Sequence, residues 1–79
     1  MRSWYEEIII DFLYGYAGST SEAIAERLSI RHPIVIVNLI KLKNDNIIES
    51  INQKLLDGRN EIFWRLTDKT RDELDAELN

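Results

Sequence analysis

Arg31-His-Pro-Ile-Val-Ile-Val-Asn-Leu-Ile-Lys-Leu-Lys-Asn-Asp-Asn-Ile-Ile48 is the stretch on which the reading of this chain turns. Pro33 suits the first turn of a helix, where a missing amide proton costs nothing. Val35, Leu39 and Leu42 follow at spacings of four and three, so they line one helix face. The helix runs to about Asp45, and Asn46 is the residue type most able, after glycine, to close it in the left-handed conformation. Ile47-Ile48 then opens a strand. Between Ile34 and Ile40 only Asn38 interrupts six aliphatic residues. With Val35, Leu39 and Leu42 turned inward, Ile36, Val37 and Ile40 point outward.

Downstream, Ile47 to Lys54 reads as a strand and Leu55–Asn60 as a turn centred on Asp57-Gly58, the strongest hairpin signal in the chain. Glu61 to Leu66 is the return strand, with Ile62, Trp64 and Leu66 on one face and Phe63 and Arg65 on the other. Thr67 caps a last helix reaching about Leu78, supported by Asp68 and by the Thr70–Glu73 pair. Its apolar residues are only Leu74, Ala76 and Leu78. It is expected to pack lightly and fray at its end.

Upstream, residues 3–17 form an amphipathic helix. Tyr5, Ile8, Ile9, Phe12, Leu13 and Tyr16 fall at helical spacings as a broad apolar stripe, with Glu6, Glu7 and Asp11 opposite. Gly15 and Gly18 mark its end, Gly18 suiting a left-handed cap. Ser19-Thr-Ser-Glu22 is a helix start, with Ser19 and Glu22 at capping-box spacing and Ser21 a second cap. The following helix spans about two turns through Leu28, burying Ile24, Ala25 and Leu28, and is too short to stand without packing. Ser29-Ile-Arg-His32 is the turn back to the central stretch.

Seventy-nine residues make a single domain, 1–79, that buries only about 60% of its unfolded surface. Cysteine is absent, which excludes disulfides and thiolate metal sites. No apolar run is long enough for a membrane span. Acids stand near the N-terminus where an export signal would be basic, so the expected location is cytoplasmic. The net charge is −4, which argues against a whole-molecule attraction to nucleic acid. The acid gathers at the ends: residues 1–18 carry one base and three acids, and residues 67–79 two bases and five acids. Residues 19–46 carry four bases against three acids.

Enzyme chemistry has little to work with. One histidine and no cysteine remove most metal and nucleophile constellations. Glu6–Glu7 and Asp72–Glu73 are neighbours in sequence and cannot face a common point on a helix. No glycine loop cradles a phosphate. Trp4, Tyr5, Phe12 and Tyr16 read as core, and no cofactor or metal is expected.

The order of helix, helix, helix, strand, turn, strand and helix over residues 5–75 resembles the winged helix-turn-helix domain of small prokaryotic and phage regulators. Ile24-Ala-Glu-Arg-Leu28 resembles the first helix of the motif, with Ala25 allowing close helix crossing and Ile30 plugging the turn. Val35, Leu39 and Leu42 match the buried face of the recognition helix. Lys43-Asn-Asp-Asn-Ile-Ile48 resembles the entry to the wing, and Phe63-Trp-Arg-Leu-Thr67 its second strand. The implied fold is α+β and mainly α: a three-helix core, a two-stranded wing and a C-terminal helix. Ser29 stands where the family often has glycine. Ile36, Val37 and Ile40 depart further, because the family carries polar residues there to read base edges.

Two functional readings follow. The resemblance implies a transcriptional regulator that binds double-stranded DNA as a dimer. Arg31 and His32 would act at the helix entrance, with Asn38 and Lys41 along it and Lys54, Arg59 and Asn60 on the wing. Alternatively, the apolar outer face of Ile36, Val37 and Ile40 is a protein interface, toward a second copy or another protein, without sequence-specific DNA binding. Leaving an Ile or Val exposed forgoes about 1.5–3 kcal/mol of burial, so three on one face call for a cover.

Overall fold

The computed structural model describes residues 2–78. Its elements are α1 (Trp4–Tyr14), α2 (Ser21–Leu28), α3 (His32–Asn44), β1 (Ile48–Lys54), β2 (Asn60–Leu66) and α4 (Asp68–Leu78). Met1 and Asn79, at the two ends of the 1–79 domain span, lie outside the described residues. Val35, Leu39 and Leu42 of α3 are fully buried. They meet Ile9, Ile10 and Leu13 of α1, Ile24 of α2, and Ile48 and Leu66 at the base of the hairpin. The inward face of α3 is therefore the one its spacing predicts. α1, α2 and the base of the hairpin pack around it.

The helix ends follow local chemistry. α1 begins with a capping box: the Ser3 hydroxyl accepts from the Glu6 amide, and the Glu6 carboxylate accepts from the Ser3 amide. That arrangement folds Glu6 inward, so it is buried rather than solvated with Glu7 and Asp11. The apolar stripe is correspondingly rotated. Ile10 joins the core and Tyr16, beyond the helix, is exposed. Gly15 ends α1 in a right-handed conformation, and Gly58 alone among the glycines has positive φ. Gly18 is therefore no left-handed cap; it lies against Phe63 of β2.

Thr20, not Ser19 or Ser21, caps α2, accepting from the Ala23 amide at 3.1 Å. Ser19 is taken by β2 instead, exchanging backbone bonds with Trp64 at 3.0 and 2.8 Å. Both α2 and α3 close in the same way. Ser29 and Asn46 adopt φ of 55° and 60°. The next amides, of Ile30 and Ile47, reach back to the carbonyls of Ala25 and Leu42, each at 3.0 Å. These are Schellman closures, and each delivers an isoleucine onto the core.

β1 and β2 pair antiparallel from Ile48↔Leu66 to Lys54↔Asn60. The turn is a three-residue one, with the Leu55 amide bonded to Arg59 at 2.7 Å and Gly58 at φ 89°. Glycine is needed there because the position is left-handed. Ile62 shares the inward side of β2 with Trp64 and Leu66, yet it is exposed, because the hairpin extends past the core and only its base is covered.

α4 packs lightly, as its composition predicts. Leu74 touches the core while Leu78 is exposed. Polar contacts hold its first half instead. The Arg71 guanidinium donates to the carbonyls of Leu13, Tyr14 and Tyr16, tying α4 to the end of α1. The Tyr14 hydroxyl donates to Asp75, and this bond to the carboxylate raises the phenol above its ordinary pKa.

Candidate nucleic-acid interface

The start of α2, the wing side of α3 and the hairpin enclose a groove of about 370 Å³ whose lining includes Ile36, Ile62 and Trp64, the cation Arg59 and the acids Glu22 and Glu61. Lys43 lies on this side of α3. Its ammonium donates to Ser50 Oγ at 2.9 Å and sits 5.9 Å from the centre of the Trp64 ring. From Arg27 through Asn44 the chain holds Arg27, Arg31, Lys41 and Lys43 and no acid. The segment itself is basic, while acids from other elements stand near it: Glu22 and Glu61 in the groove, and Glu6, Glu7 and Asp45 around Lys41.

The expected site residues separate by place. Arg31 precedes α3, is exposed, and makes no capping bond with its side chain. His32 Nε2 lies 2.8 Å from Ser21 Oγ and 3.9 Å from a Glu22 carboxylate oxygen, tying the starts of α2 and α3 together. Either partner of the first contact can be the donor, depending on the tautomer. Lys54 and Asn60 face each other at the exposed end of the hairpin. Arg59 Nε is 2.6 Å from Asp57 Oδ2. That pair is exposed and contributes little, so an incoming phosphate can displace it. The hairpin end carries Lys54 and Arg59 against Asp57 and Glu61, and is thus neutral overall.

Asn38 is a correction. Expected along the DNA-facing side, it is only 5% exposed. Its amide donates to the Ile34 carbonyl at 2.8 Å and its oxygen accepts from Ser3 Oγ at 3.2 Å. Asn38 stands three residues after Val35 and four before Leu42, so helical spacing already assigns it to the buried face. There it bonds the start of α1. Lys41, three residues further, is exposed beside Arg2, Glu6, Glu7 and Asp45, on the α1 side and away from the hairpin. Lys43 is the lysine beside the groove.

The aliphatic outer face is present as its spacing predicts. Val37 is 51% exposed and Ile40 49%. Ile36 is half-buried in the groove. Ile62, 51% exposed, extends the apolar surface onto the hairpin. Sequence pattern hides that extension, since Ile62 alternates correctly for a core position. Among the described residues no group of three or more acidic or histidine side chains could hold a metal ion. No helix among them is long and apolar enough to cross a membrane.

No protein-family model matches the sequence, and neither does any curated protein sequence. Solved structures do match. One structure of ZitR from Lactococcus lactis superposes with a TM-score of 0.79 at 27% identity, over 98% of this chain and 51% of that one. A ZitR structure in complex with DNA gives 0.72 at 29% identity, over 96% and 52%. The reduced form of the transcriptional regulator YodB from B. subtilis gives 0.74 at 21% identity, over 98% and 74%. This chain thus spans about half the length of the ZitR chains. The agreement runs over all four helices and the hairpin: the chain has the winged helix-turn-helix fold, with α2 and α3 in the places of the motif's two helices and β1–β2 in the place of the wing.

Proposed function

We propose that this chain is a DNA-binding transcriptional regulator that acts as a dimer, with α3 and the wing against double-stranded DNA. The observation that carries the reading is the stretch from Arg27 to Asn44, which holds four cations and no acid and runs from the last turn of α2 through α3. The likeness to ZitR, which has been solved with DNA, supports it. Arg31 and His32 would act at the entrance of α3, Lys43 and Lys41 on its two flanks, and Lys54, Arg59 and Asn60 on the wing. Dimerisation would place two such helices on successive half-sites. A salt series tests the reading. Affinity for duplex DNA should fall steeply with salt, with a log–log slope of about −0.9 per phosphate neutralised. No binding at low salt, even nonspecific, would sink the proposal.

The exposed Val37, Ile40 and Ile62 favour a second reading, a protein-interaction module that uses the apolar face. Sedimentation of wild type and Ile40→Lys separates the two. An assembly that dissolves into folded monomers in the variant supports the second reading, and a dimer that persists supports the first.

A further inference from the structure

We propose that the outer face of α3 recognises DNA through the C5-methyl groups of thymine, making this chain a reader of thymine-rich major grooves. The inference rests on the DNA-binding reading above and gives it a substrate class. Its ground is an inventory of what α3 can offer a base. Arg31 and His32 stand at the entrance, and Lys41 and Asn44 lie in the last turn. Between these ends the outward residues are Pro33, Ile36, Val37 and Ile40. None has a donor or acceptor. Asn38, the one polar side chain of the middle turns, is buried and spends its amide on Ile34 and Ser3.

In the major groove every base edge carries hydrogen-bonding groups, and the thymine methyl is the one apolar feature. A polar edge pressed against Val37 and Ile40 would lose its water with no replacement. A thymine methyl there would instead gain contact. Val37 and Ile40 are three residues apart, so they rise about 4.5 Å along the helix, enough to address neighbouring base-pair steps. Ile36 and Ile62 continue the surface toward the wing. Arg31 at the entrance and Lys43 on the wing flank stand beside this face, with Arg59 across the groove, and suit a polyanion along the apolar strip, although Glu22 and Glu61 share the groove lining. Those cations favour DNA over an apolar protein partner as its occupant.

Deoxyuridine pairs with adenine as thymidine does and lacks only the methyl. The test therefore compares the full chain on an alternating adenine–thymine duplex and on the same duplex with deoxyuridine in place of every thymidine. It is repeated with the Val37→Ser/Ile40→Ser variant, whose changes lie at half-exposed positions. Wild type should bind the thymine duplex more tightly by about fourfold for each methyl covered, and the variant should bind both duplexes alike. Equal wild-type affinities overturn the inference and leave DNA binding standing. So does a preference that persists in the variant. Failure to bind either duplex at low salt overturns the DNA-binding reading itself, and points the apolar face toward a protein.

Discussion

Leu39→Ala should lower stability by about 3–5 kcal/mol, out of a total of roughly 4–12 kcal/mol for a chain of this size. Leu39 sits at the middle of α3 and is fully buried, in a cluster with residues from α1, α2 and both strands. Truncation there removes transfer free energy and leaves a cavity between elements that have little other core to hold them. The melting temperature should fall by at least about 12 °C. Ile40→Ala, one residue along the same helix but half-exposed, should change stability by less than about 1 kcal/mol. Thermal unfolding of both variants checks the pair. Similar losses for the two would mean that the facing of α3 is wrong.

Asn38→Asp should cost about 3 kcal/mol or more at neutral pH. The substitution keeps size and shape. It replaces an amide that donates to the Ile34 carbonyl with a carboxylate facing that carbonyl's oxygen, in a site with little access to water. Ser3 joins the same site to the Glu6 carboxylate of the α1 capping box, so the new charge also meets a like charge. Asn44→Asp, on the exposed last turn of α3, is the control and should be near neutral. Urea unfolding distinguishes them. A loss below about 1 kcal/mol for Asn38→Asp would show that water reaches the site and that Asn38 is free to serve elsewhere.

The two substitutions mark the boundary of what could be read from the chain. The inward set of α3 was legible because apolar spacing and burial agree wherever a helix lies on a core. Its outward set was legible for the same reason, by subtraction. The polarity of Asn38 suggests an outward place, although its spacing from Val35 and Leu42 puts it inward. Polarity misleads where a partner can satisfy the group, and the partner, Ser3, lies 35 residues away in sequence. Glu6 repeats the lesson locally. The Ser3–Glu6 spacing carries the capping box in plain view, and the box buries a residue type that is otherwise solvated.

The exposure of Ile62 and the surroundings of Lys41 were not legible, for a different reason. Strand alternation gives the side on which Ile62 lies, but not how far the hairpin projects beyond the core. Helix spacing gives the direction of Lys41 from the α3 axis, but not that the start of α1, with its acids, occupies that direction. By itself the sequence determined the elements, their ends to within a few residues, the buried spine of α3 and the aliphatic face opposite, because these depend on local periodicity and cap chemistry. The tertiary structure alone decided that Asn38 is tied to Ser3, that Lys43 rather than Lys41 flanks the groove, and that Ile62 extends the apolar surface of α3. Each of those depends on contacts between segments distant in the chain, which no local pattern encodes.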